Sequence, residues 1–94
     1  MFLSYQQLAS SGVVKRGTDV TIPAKATGVN IQADTQSVRY TMDGTDPTSS
    51  SGMLFLTTTA PESFLIEDLK RLRFIAGAGG AGNLNFHFWA GRDI

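Results

Sequence analysis

A chain of 94 residues with 41% hydrophobic and 17% charged side chains fits one small globular domain, which excludes a two-domain organisation and wholesale disorder. Eight Lys and Arg balance eight Asp and Glu. Zero formal charge removes the electrostatic footprint of a nucleic-acid or anionic-membrane binder and favours self-association into a homo-oligomer. With no cysteine, disulfides, thiolate zinc sites and cysteine nucleophiles are excluded, so stability has to come from packing or from partners.

Residues 1–16 are polar with scattered apolar positions, Phe2, Leu3, Tyr5, Leu8, Val13 and Val14, and show no sustained period of 2 or 3.6. They read as an N-terminal arm or a loosely attached first strand, lacking both the basic start and the apolar stretch of a secretory leader. From Thr18 the pattern changes: Val20 and Ile22 alternate with polar neighbours up to Pro23, and Val29 and Ile31 alternate with Asn30 and Gln32, giving two short strands. Val38, Tyr40 and Met42 alternate with Arg39 and Thr41, then meet the turn formers Asp43-Gly44-Thr45-Asp46-Pro47-Thr48.

Met53 to Leu56 is a continuous apolar run between Ser/Gly and Thr/Pro clusters, as expected of a strand buried on both faces and far too short to cross a membrane as a helix. Ser63 to Ile66 looks similar, and Glu67 to Arg71 suits one helical turn, with acids first and bases last. Leu72, Phe74 and Ala76 alternate with Arg73 and Ile75, and Leu84, Phe86 and Phe88 alternate with Asn85, His87 and Trp89. Between them lies the Gly77–Gly82 stretch, so the pair reads as a closing hairpin.

Short strands about every ten residues, separated by Gly, Pro, Ser and Thr clusters, predict an all-β fold: a single antiparallel β-sandwich or small jelly-roll-like barrel over 17–94 behind the arm. The expected core is Val20, Ile22, Val29, Ile31, Val38, Tyr40, Leu54, Leu56, Phe64, Ile66, Leu72, Phe74, Leu84, Phe86 and Phe88, held between sheets about 10 Å apart.

No catalytic set, cofactor site or metal site emerges from the motifs. Gly77, Gly79 and Gly82 spell the dinucleotide pattern, but no helix opens after them and no acidic residue follows at the required distance. His87, the single histidine, has no nucleophile-elbow serine to serve, and one histidine without cysteine is a poor zinc site. Asp43 and Asp46 are too few for calcium, and read instead as acceptors of loop amides, with Gly44 supplying a positive φ and Pro47 closing the turn. Lys70, Arg71 and Arg73 are offset by Glu67 and Asp68, and Arg39 and Arg73 read as outward residues within reach of a partner's carboxylates.

The stretch Val38-Arg39-Tyr40-Thr41-Met42-Asp43-Gly44-Thr45-Asp46-Pro47-Thr48 resembles the Tyr-Thr-x-Asp-Gly-Thr-x-Pro-Thr strand and turn of chitobiase-type C-terminal sandwich domains, which accompany glycoside-processing enzymes. A longer similarity, from about Thr18 to Trp89, is to small β-sandwich proteins encoded among the virion genes of tailed bacteriophages. It is carried by Pro23-Ala24, the Arg39 to Thr48 turn, Gly52-Met53, the Leu69, Leu72, Phe74 and Ile75 segment, and Asn85-Phe86-His87-Phe88.

The longer resemblance implies a non-enzymatic structural protein of the particle, above all a capsid cement or decoration protein on the major capsid protein, located in the virion after assembly in the host cytoplasm; a neck or tail position is the other place. Phe2, Leu3, Tyr5, Leu8 and Trp89 are then the expected partner contacts, as aromatic and apolar anchors. The shorter resemblance implies an alternative, a carbohydrate-binding or enzyme-accessory module that meets a host glycan through Trp89 and Tyr5.

Overall fold

The computed structural model describes residues 2–58 and 60–91. Eight strands, β1 (Phe2–Ala9), β2 (Lys15–Arg16), β3 (Gly28–Asp34), β4 (Val38–Thr41), β5 (Met53–Phe55), β6 (Glu62–Leu65), β7 (Arg73–Ala76) and β8 (Asn83–Trp89), form two four-stranded antiparallel sheets. The first sheet has the order β1-β8-β3-β6 and the second β2-β7-β4-β5. The protein is an all-β sandwich.

The core is built from alternate residues of each strand. Val29 and Ile31 of β3, Val38 and Tyr40 of β4, Phe74 of β7, and Leu84, Phe86 and Phe88 of β8 are buried between the sheets. Rings tie the layers together: Phe74 meets Phe86 edge-on at 5.9 Å, and Phe64 stands edge-on to both Tyr40 and Phe55 at 6.4 Å. Such pairs add about 0.5–1.5 kcal/mol beyond the area they bury. Helix α1 (Ile66–Leu69) closes one end by burying Ile66 and Leu69, with its acids Glu67 and Asp68 in the first turn as expected.

Four local expectations are corrected. The N-terminal segment is part of the sandwich: β1 pairs with β8 from Phe2↔Trp89 to Ala9↔Asn83, and β2 pairs with β7. Its period was hidden because the inward positions Ser4 and Gln6 are polar. Gln6 has a specific task there. Its Oε1 accepts from the Thr21 amide at 3.0 Å and its Nε2 donates to the Thr21 carbonyl, standing in for a strand neighbour. For that reason the Val20–Ile22 segment is not a strand, although Val20 is buried and Ile22 packs on the core.

The run Met53 to Leu56 is an edge strand, not one buried on both faces: Phe55 is buried, whereas Leu54 and Leu56 are 41% and 45% exposed. The last two strands are not a hairpin, because β7 lies in the second sheet and β8 in the first. The glycine stretch crosses between the layers tightly against the Asp34–Gln36 turn, and a Cβ on Gly82 would come within 2.8 Å of the Gln36 amide nitrogen.

Replacing Phe86 with alanine would leave a void at the inter-sheet ring contact, and a loss of about 3–5 kcal/mol in urea unfolding is expected. A loss below about 1 kcal/mol would mean the ring is not packed between the sheets.

Candidate functional site

Alternation along β3 and β8 turns one chemistry inward and another outward. Outward positions of the two central strands are Gly28, Asn30, Gln32 and Asp34 on β3, paired with Trp89, His87, Asn85 and Asn83 on β8. Phe2, Tyr5 and Gln7 of β1 flank them on one side, with Tyr5 opposite His87 and Gln7 opposite Asn85; Ser63 of β6, opposite Asn30, flanks them on the other. Across these strands Asp34, at one end, is the sole Asp, Glu, Lys or Arg on the face. A groove of about 210 Å³ runs over it, lined by Phe2, Tyr5, Asn30, Gln32, Pro61, Asn85 and His87.

The groove is organised by hydrogen bonds. Asn85 Oδ1 accepts from the Tyr5 hydroxyl at 2.8 Å and from Gln7 Nε2 at 2.9 Å. Asn30 Oδ1 accepts from Ser63 Oγ at 2.7 Å and from Trp89 Nε1 at 3.1 Å. An indole N–H only donates, so it fixes which end of the Asn30 amide faces it. Phe2 and Tyr5, 58% and 55% exposed, hold the His87 ring between them at centroid distances of 4.4 and 6.2 Å.

A second surface lies at the β5 edge. Met42, Met53, Leu54 and Leu56 are all exposed around a strand with no neighbour on its outer side, beside a shallow groove of about 360 Å³ lined by Thr41, Met42, Asp43, Thr45, Gly52 and Met53. Arg39 arches over the adjoining strand, its Nη1 donating to the Gly52 carbonyl at 3.0 Å.

Each expected contact residue now has a place. Phe2 and Tyr5 are exposed on the outer face of the first sheet, as partner contacts need to be. Leu3 and Leu8 are half-buried and pack against the core instead of standing on the outer face: Leu8 follows the alternation of β1, and the register shift between Phe2 and Ser4 turns Leu3 to the same side. Trp89 is half-buried, lying over Gly28, where a Cβ would meet the indole at 2.1 Å.

In the turn after β4, Asp43 does accept from a loop amide, through Thr45 N at 3.1 Å and Thr45 Oγ1 at 2.6 Å, and Gly44 has φ +84°. Pro47 is buried. Asp46 departs from expectation by pairing with Arg73 Nη1 at 2.9 Å, so Arg73 already has a carboxylate partner within the chain. The amides Gln7, Asn30, Gln32 and Asn85 were missed, although carrying the β3 and β8 alternation outward points to Asn30, Gln32 and Asn85.

Among the described residues, no three of His, Asp and Glu gather in a way that could hold a metal ion. Residues 9–85 match the family model of the chitobiase/beta-hexosaminidase C-terminal domain. The chain belongs to that family. Its namesake is a non-catalytic module. No curated protein and no solved structure matches the chain. The Asp-Gly-Thr turn and the strands β2 to β7 lie inside the matched span, whereas β1 before Ala9 and the end of β8, with the rings of Phe2, Tyr5, His87 and Trp89, lie outside it.

The Thr45 hydroxyl, and then the Thr45 amide, hold the Asp43 carboxyl below the usual carboxylate range. A lowered folded-state value contributes stability above the unfolded value that is lost as pH falls through the folded one. Asp43→Asn is therefore expected to melt below the parent at neutral pH, with the gap closing as pH drops below about 4. A gap unchanged between neutral and strongly acid pH would contradict the charged turn.

Proposed function

We propose that this member of the chitobiase C-terminal domain family is a non-enzymatic structural protein of a tailed-bacteriophage particle. In this reading it is a capsid cement or decoration protein that binds the major capsid protein and bridges neighbouring shell subunits as a homo-oligomer. A neck or tail position is the other place in the particle consistent with the same surfaces. The observation that carries the reading is the β5 edge, where Met42, Met53, Leu54 and Leu56 are exposed beside unpaired strand backbone. The strand is only three residues long, so the support comes from its cluster of exposed apolar side chains, the kind of patch that favours contact with another chain.

Two further features support it. The motifs that resemble those of virion-associated proteins, read from the sequence between about Thr18 and Trp89, fall on β3 to β8 and the turns between them. The family is a non-catalytic module, so a role in adhesion asks nothing new of the fold. Docking at β5 would bury side chains already ordered by the β4–β5 pairing, so little additional conformational entropy is lost on assembly.

Mass spectrometry of gradient-purified particles is expected to find the polypeptide in stoichiometric copies. Leu54→Asp is expected to lower its occupancy by about tenfold or more, the scale of burying an unpaired charge at an interface. Recovery of the parent protein from lysate supernatant alone, never from particles, would overturn the assignment.

A further inference from the structure

We propose that the outer face of the first sheet binds a neutral saccharide, one pyranose ring lying against Phe2, His87 and Tyr5 with its hydroxyls on the side-chain amides of Asn30 and Asn85. This goes beyond the structural role above and does not rest on it. The argument starts from the amides. Both oxygens are already occupied, Asn85 Oδ1 by Tyr5 and Gln7, and Asn30 Oδ1 by Ser63 and Trp89. Neither Nδ2 group has a partner among the described residues, so two oriented pairs of donors stand free on the face. Holding them in place beforehand lowers the entropic cost of binding.

What such donors seek is an array of hydroxyl oxygens, and the three rings beside them offer apolar faces for C–H groups. Charge narrows the choice. A phosphate, sulfate or uronate would find no Lys or Arg on these strands. An extended peptide would find no free backbone ladder, because the centre of a sheet face presents side chains alone. At about 210 Å³ the groove is smaller than the roughly 300–1,000 Å³ of drug-sized pockets, a scale suited to a single ring of a longer chain that runs on across the open sheet. Asn30 and Asn85 lie inside the span matched to the family model and the rings of Phe2, Tyr5 and His87 beyond it, so the site combines amides of the matched span with rings outside it.

The test is a side-chain amide NMR titration of the purified, full-length protein with maltopentaose, cellopentaose and an N-acetylglucosamine pentamer, and with polygalacturonate as the acidic counterpart. At least one neutral oligomer is expected to shift the Asn30 and Asn85 amide signals and the Trp89 indole signal, with about millimolar affinity. Asn85→Asp keeps an acceptor for Tyr5 and Gln7 but removes the free donors, so binding should weaken by about tenfold with the fold intact. Tyr5→Ala should weaken it similarly, and Leu54→Asp, at the β5 edge, should leave it unchanged. The proposal is overturned if no neutral oligomer moves these signals, if Asn85→Asp binds as well as the parent, or if the acidic polymer binds equally. Each of these results is independent of whether the protein is found in particles.

Discussion

Leu84, Phe86 and Phe88 are fully buried on one side of β8, while Asn85, His87 and Trp89 face the other way. Successive side chains alternate across a strand, so a slip of one residue would expose the buried rings and bury the amides unpaired. β8 is held on both sides, by β1 and by β3, over its full length. Its register therefore fixes the inter-sheet contact between Phe74 and Phe86 and the geometry of the polar outer face together.

The two sheets are unequal in how they meet the surroundings. The first presents a neutral face of rings and amides whose hydrogen bonds run between strands, from Tyr5 and Gln7 to Asn85 and from Ser63 and Trp89 to Asn30. The second ends in an open apolar edge at β5, next to strands carrying Arg39 and the Arg73–Asp46 pair. One molecule can thus be anchored at the β5 edge while its amide face stays free, since the two surfaces draw on different strands. Neither surface requires a charge the chain lacks, which accords with a composition balanced between acids and bases.

The sandwich was legible because most of its strands bury every second residue, and the rings of β7 and β8 fall in phase with that rule. The rule failed where a side chain took over a backbone role. Gln6 occupies an inward position of β1 and bonds Thr21 at both backbone groups, so β1 looked aperiodic and the segment opposite looked like a strand. It failed also at β5, where the run Met53 to Leu56 is apolar on both faces and composition alone does not tell a buried strand from an exposed edge. The turn residues Asp43, Gly44 and Pro47 behaved as their chemistry dictates. The partner Asp46 found on β7 is a tertiary contact between residues 27 apart, with no local signature. Phe2 and Tyr5 were legible as anchors but not as members of a strand, while the outward alternation of β3 and β8 carried Asn30, Gln32 and Asn85 and their convergence appeared only once β8 was placed between β1 and β3.

Because the chain has no cysteine, a single one introduced along β8 is its only thiol, and thiol labelling of the native protein reads the register directly. Asn85→Cys and His87→Cys are expected to react rapidly, and Leu84→Cys and Phe88→Cys to react only as fast as the protein opens. Uniform reactivity along the strand, or the opposite alternation, would contradict the packing on which both surfaces depend.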